Sequence, residues 1–306
     1  MCELSAFAIA FACGMRERLP APPRYCNLST ISPVAIALRP SENGTRHFLD
    51  GYRRVLGRLH THQAVDGHNH TETIETLLDE GIAFHDLSKL GRRWGMLGNW
   101  LSHYSALKHQ LSHALPFMLL LEDDVYLRPA FLTLLEQQAC EAFNAPPRAA
   151  SSVRSRPGRR SLGKQPQPQL PQESIASIVQ ISRYSEITLT SLAGARLLVE
   201  LMRAAGVRKS IDQQLLDPAV MGSATGRYHT VAHIPAQQKG VAWKARPWVL
   251  GRQANSADGH IWRSRRFTWT EMAMLRMLTQ GTATVRRLRL HGNPRLPADK
   301  PQTWAH

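Results

Sequence analysis

Pro116-Phe117-Met118-Leu119-Leu120-Leu121-Glu122-Asp123-Asp124-Val125 is the stretch that decides how this chain reads. The five apolar residues Phe117 to Leu121 fit a strand covered on both faces, as at the centre of a parallel sheet. Pro116 ends whatever helix precedes it. The strand delivers Glu122, Asp123 and Asp124 at its carboxyl end. In open α/β sheets, ligands bind just outside the carboxyl ends of the strands. Carboxylates there are hard oxygen ligands, suited to Mg²⁺ or Mn²⁺. Such a metal neutralises charge on a departing nucleoside diphosphate. The plainer alternative is an exposed acidic turn.

Working upstream, Leu97, Leu101, Tyr104, Leu107, Leu111 and Leu115 fall on one stripe and predict a helix over 98–114. Ser102 and His103 sit on it, and the bland reading of His103 is a packing histidine. Val34 to Leu38 reads as a buried strand, the stripe Phe48, Leu49, Tyr52, Val55, Leu56 and Leu59 predicts a helix over 46–59, and Ala64-Val65 reads as a second short strand leading into an Asp66-Gly67 turn. His60, His62, His68 and His70 crowd that turn, a pattern common on solvated loops.

Downstream, Pro129 opens a helix bearing Phe131, Leu134 and Leu135. The pattern resumes at Ile175 to Ile181 and continues in a helix over 191–205. Ile211-Asp212 follows a turn at Gly206, and a basic helix is expected over 270–278. Strands alternating with helices predict an α/β fold with a mostly parallel central sheet. Asp212 is suited either to general-base work or to capping the segment 213–216.

The chain has 306 residues and is 43% hydrophobic, enough for a sizeable core, which excludes a disordered chain or a disulfide-stapled peptide. Its four cysteines give no disulfide framework and no zinc spacing. No GxSxG, GxxxxGK[ST] or GxGxxG occurs, so the nucleophile-elbow, P-loop and Rossmann readings lack support.

The net charge of +15 points at first to a nucleic acid or anionic surface. Its location weakens that reading. Segment 144–173 holds six Lys or Arg against one Glu, and 245–306 holds eleven against three acidic residues. The remainder is close to neutral. Runs of this kind are usually solvated, so nucleic acid is not the expected partner, although Trp262, Phe267 and Trp269 interleave with arginines. Contact of the tail with an anionic membrane surface is compatible with the composition.

The longest apolar run, Leu4 to Met15, is too short to span a bilayer. Glu3 has the wrong sign for a signal-peptide n-region. The compartment is left open between the cytoplasm and a secretory-pathway lumen. Three sequons, at Asn27, Asn43 and Asn69, matter only in the second case.

The order of these motifs resembles glycosyltransferase family 25, which includes bacterial lipooligosaccharide galactosyltransferases, acting in lipopolysaccharide biosynthesis, and procollagen galactosyltransferases. Gln63-Ala64-Val65-Asp66-Gly67 looks like the family's Ala-Val-Asp-Gly turn. Gly95-Met96-Leu97-Gly98-Asn99-Trp100-Leu101-Ser102-His103 is similar to its Gly-x-x-Gly-x-x-x-Ser-His motif. Leu120 to Val125 looks like its Leu-Glu-Asp-Asp-Val strand end. Ser191 to Leu198, followed by Ile211-Asp212, resembles its Gly-Ala helix and the Val-Asp after it. The opening strand has lost the family's wording, and a Pro/Arg-rich insertion replaces part of the acceptor side.

The resemblance implies a GT-A-like fold and an inverting transfer of a hexose, usually galactose, from a UDP-sugar to a glycan or glycoprotein hydroxyl. It implies donor binding by Asp66, Gly67, Ser102, His103, Glu122, Asp123 and Asp124. It further implies Mn²⁺ or Mg²⁺ on Asp123 and Asp124, and Asp212 as the base. The expected organisation is an N-terminal segment 1–32, a nucleotide-sugar-binding part 33–143, a disordered insertion 144–173, an acceptor-side part 174–244 and a basic extension 245–306. The alternative is an inactive glycosyltransferase-like module that binds anionic partners through its basic segments.

Overall fold

The computed structural model describes residues 25–85, 93–144, 177–181, 185–215, 217–222, 231–234, 242–244 and 265–290. The expected insertion 144–173 lies almost wholly outside them. Six strands form the main sheet: β1 (Ile31–Ala37), β2 (His60–Gln63), β3 (Phe117–Glu122), β5 (Ile178–Gln180), β6 (Ile187–Ser191) and β7 (Val231–His233). Their order is β2-β1-β3-β6-β5-β7. The pairings β1/β2, β1/β3 and β5/β7 are parallel, and β6 runs antiparallel to both its neighbours. The sheet is therefore mixed but mostly parallel. A separate antiparallel pair joins β4 (Val125–Leu127) to β8 (Ala242–Lys244).

β3 is buried along its whole length, as its apolar run requires. The pleat divides it between two cores. Met118 and Leu120 face helices α2 (His70–Glu80), α3 (Trp94–Ser112) and α6 (Leu192–Ala205). Phe117, Leu119 and Leu121 face α1 (Asn43–Leu56) and a helical stretch that runs from α4 (Ala130–Leu134) through a π-helical segment (Leu135–Cys140) to α5 (Glu141–Asn144). Helices thus cover both faces of the sheet. Pro33 is tolerated inside β1 because β2 pairs only from Val34 onward, which leaves the strand an edge on that side at Pro33.

Three expectations need correction. The second strand is His60–Gln63 rather than Ala64-Val65, which lie in the loop beyond it. Cys26 and Cys140 pair as a disulfide, with Cα atoms 4.9 Å apart, where none was expected. The Asn144 side chain secures the same junction, accepting from Cys26 N and donating to Cys26 O, each at 2.8 Å. Finally, the basic extension is not wholly a tail. Helix α9 (Trp269–Leu290), longer than the 270–278 expected, buries Met272 and Leu275, and the preceding Phe267 packs edge-on against Phe84 and Trp94. Thr279 accepts a hydrogen bond from Phe84 N at 2.8 Å. The two short helices α7 (Ile211–Leu215) and α8 (Pro218–Gly222) pack beside α6 and α3.

Candidate functional site

The carboxyl ends of β1 and β3, the loop after β2 and the first half of α3 enclose a cleft of about 460 Å³, its open mouth included. Its walls are apolar on the β1 side, at Ile36 and Leu38. The loop contributes Ala64 to His68, α3 contributes Gly95, Asn99 and Ser102, and β3 contributes Glu122 and Asp123. This is where open α/β sheets place their ligands.

The loop is held against the helix by close backbone packing. A Cβ on Gly67 would stand 2.2 Å from Trp94 O, and one on Gly98 would stand 2.6 Å from Gly67 N. Only glycine fits either position, which explains the spacing of the two motifs. Ser102 completes the clamp. Its hydroxyl donates to Gly98 O at 2.7 Å and accepts from Val65 N at 2.8 Å. Asp66 turns its carboxylate back on the loop, accepting from His68 N at 2.9 Å.

The acidic strand end is buried rather than displayed: Glu122, Asp123 and Asp124 are 5%, 3% and 0% exposed. His103, itself buried, meets Glu122 Oε1 through Nε2 at 3.1 Å. Tyr52 staples the turn from α1. Its hydroxyl donates to Glu122 O at 2.5 Å and accepts from Val125 N at 3.0 Å. Burial, and then the neighbouring Asp124 charge, push the Tyr52 hydroxyl well above its ordinary range, so it stays protonated and keeps donating. Glu186 brings a fourth carboxylate to this end of the sheet; it is 2% exposed, and its backbone O accepts from Glu122 N at 2.9 Å.

The structure therefore brings together Asp66, Gly67, Ser102, Glu122 and Asp123 around one cleft, with His103 behind Glu122. Asp124 is buried beside Tyr52 and does not line the cleft. Asp212 also stands outside its lining, in the first turn of α7. That helix is fixed against α3 by Gln214, which accepts from Trp100 Nε1 at 3.2 Å. Asp212 thus lies within the first turn rather than capping it.

Among the described residues, no group of three or more His, Cys, Asp or Glu side chains is disposed to hold a metal ion. Asp123 is the carboxylate of the expected metal pair that lines the cleft. Its carboxylate oxygens are hard donors of the kind Mg²⁺ or Mn²⁺ takes.

Sequence reasoning missed Tyr52, Glu186 and Asn99. Tyr52 was visible only as one member of an apolar stripe, and periodicity says that a residue is buried without saying what its hydroxyl binds. Asn99 lay inside a quoted motif, one helical turn before Ser102 and His103.

No protein-family model matches this chain. No curated protein matches it. Among solved structures, it can be superposed on the crystal structure of a glycosyltransferase involved in the glycosylation of the major capsid of PBCV-1. That alignment covers 67% of this chain and 81% of the other, at 10% identity and a TM-score of 0.29, too low to bear on fold or function.

Proposed function

We propose that the protein is a glycosyltransferase that moves a hexose, galactose by preference, from a UDP-sugar to a hydroxyl of a glycan or glycoprotein. The observation that carries this reading is the cleft itself: a glycine-packed loop forms one wall, and the acidic end of β3 forms the floor. The close approach of Gly67 to α3 fixes the loop that forms this wall. The order of motifs resembling glycosyltransferase family 25 supplies the donor class.

In this account the acceptor oxygen attacks the anomeric carbon as the bond from that carbon to the diphosphate oxygen breaks. The diphosphate leaves with the electron pair, the configuration inverts, and a carboxylate takes the acceptor proton. A divalent cation, when bound, neutralises the leaving diphosphate. Asp123 is the residue that would hold it. Ser102 and His103 act one step back, fixing Val65 and Glu122 respectively. Asp212 is the proposed base on the strength of the motif resemblance alone, since it stands outside the lining of the donor cleft.

The test is release of UDP from UDP-galactose and UDP-glucose over a panel of glycan and glycopeptide acceptors, with Mn²⁺ or with EDTA. The expected result is Mn²⁺-dependent UDP release that falls about a hundredfold or more in Asp123→Asn, as for loss of one preorganised electrostatic group. Release no faster than that of Asp123→Asn, for every donor and acceptor, overturns the reading.

A further inference from the structure

We propose that the outward face of α9 is a docking surface for an anionic lipid bilayer. Five large hydrophobic side chains are notably exposed among the described residues, and four of them, Trp269, Met274, Met277 and Leu278, lie on this one helix. Trp269 is 77% exposed and Met277 68%. Their exposure is not fraying, because the opposite face is anchored. Met272, Leu275 and Thr279 are buried against the core, and Thr279 bonds Phe84 N. At 100° per residue, the buried positions cluster on one side and Met274 and Met277 point the other way. The helix is therefore apolar on two faces, one packed on the core and one exposed.

Charge identifies the occupant. Arg266 is exposed just before the helix, Arg276 lies on its flank, and Arg286, Arg287 and Arg289 follow in the same helix. The whole segment 245–306 is strongly basic, while most of the rest of the chain is nearly neutral. An apolar strip of methionine and leucine, with the exposed Trp269 at the start of the same helix and a strongly basic segment around it, matches the interfacial region of an anionic membrane. Tryptophan, like tyrosine, is enriched at that depth. The strip is a convex helix face rather than a groove. A fluid bilayer can meet it without shape complementarity, whereas a folded partner would need a matching concavity. Among the described residues, no helix is long and apolar enough to cross a membrane, so the contact proposed is peripheral.

The test uses the full chain and flotation with vesicles of phosphatidylcholine alone or mixed with phosphatidylglycerol. Wild-type protein is expected to float with the anionic vesicles, weakly or not at all with the neutral ones, and to be released by added salt. The double variant Met274→Ser, Met277→Ser is expected to lose roughly tenfold or more of that partition. Its melting temperature should stay that of the wild type, since both side chains are on the solvent side. Absence of wild-type binding to anionic vesicles, or equal binding by the variant, overturns the proposal. So does loss in the variant of a concentration-dependent dimer, which would make a second copy the occupant. Loss in the variant of single-stranded oligonucleotide binding, with vesicle binding intact, would assign the face to nucleic acid instead.

Discussion

Tyr52 shows how much of the site depends on one hydroxyl. It satisfies two buried backbone groups, Glu122 O and Val125 N, across the turn that carries Asp123 and Asp124. Removing the oxygen leaves both groups without that partner in a dry environment, a loss of about 1–3 kcal/mol. Tyr52→Phe is therefore expected to unfold earlier in urea by that amount, with its m-value unchanged. It is also expected to weaken donor binding, because the acidic turn loses its staple. An unchanged midpoint would show that the hydroxyl makes no net contribution. The sequence marks Tyr52 only as a member of the stripe Phe48, Leu49, Tyr52 on α1, which is enough to bury it but not to pair it. Gly67 and Gly98 were legible as motif members, but the reason for them, backbone pressed on backbone, is visible only once the loop and helix are brought together.

At the scale of elements, β2 and α3 form a histidine-lined edge. The His60 and His109 rings stack at 4.7 Å, His109 lies 4.0 Å from His113, and His62 Nε2 meets Ser105 Oγ at 3.0 Å. Burial, followed by the neighbouring His60, holds His62 down at about 4. Burial, followed by His113, His60 and His62, does the same for His109, also to about 4. His60 is lowered by burial and by His113. Folded imidazoles with lowered pKa values stay neutral while the same residues protonate in the unfolded chain. Their full contribution is thus present above the unfolded value of about 6.5 and is lost progressively as pH falls from there towards about 4. Melting temperature is expected to drop across that window, and the drop should be shallower in His62→Gln, His109→Gln. An equal drop in that variant would remove these histidines as the cause.

The same edge explains the misplaced strand. His60–Gln63 carries no apolar residue and is only partly covered, so no hydrophobic pattern announces it. In contrast, Phe117–Glu122 and the α3 stripe were readable because both are buried and their periods are intact. The start of α3 at Trp94 was hidden by Gly95 and Gly98, which look like helix breakers in isolation and here serve the close contact with the loop.

At the scale of the whole molecule, the chain is closed by contacts far apart in sequence. Cys26 and Cys140 are separated by 114 residues, and the pair ties the start of the sheet to the far end of the 130–144 helical stretch. No spacing rule reveals a pairing of that length among four cysteines, so it was not legible in advance. A loop of that size gives a disulfide a stabilising effect of about 2–5 kcal/mol through the unfolded chain. Reduction, or Cys26→Ser with Cys140→Ser, is expected to lower the melting temperature by several degrees. Identical melting with and without reductant would contradict the pairing. Such pairs persist mainly in oxidising compartments, which bears on the choice between cytoplasm and secretory lumen. The C-terminal basic segment likewise looked detachable from its charge alone. Its helix contributes Met272, Leu275 and Thr279 to the core because three apolar-side positions survive at helical spacing within an arginine-rich run.

We propose above all that the cleft beyond the end of β3 is a nucleotide-sugar site. The most direct measurement is calorimetric titration of UDP-galactose into the wild-type protein and Asp123→Asn, each with Mn²⁺ and with EDTA. Expected are saturable binding to the wild type in Mn²⁺, strong weakening in EDTA, and the same weakening in Asp123→Asn, whose fold is checked by its melting curve. Folded wild-type protein that takes up no UDP-galactose in Mn²⁺, or that binds it equally well after Asp123→Asn, would contradict the proposal.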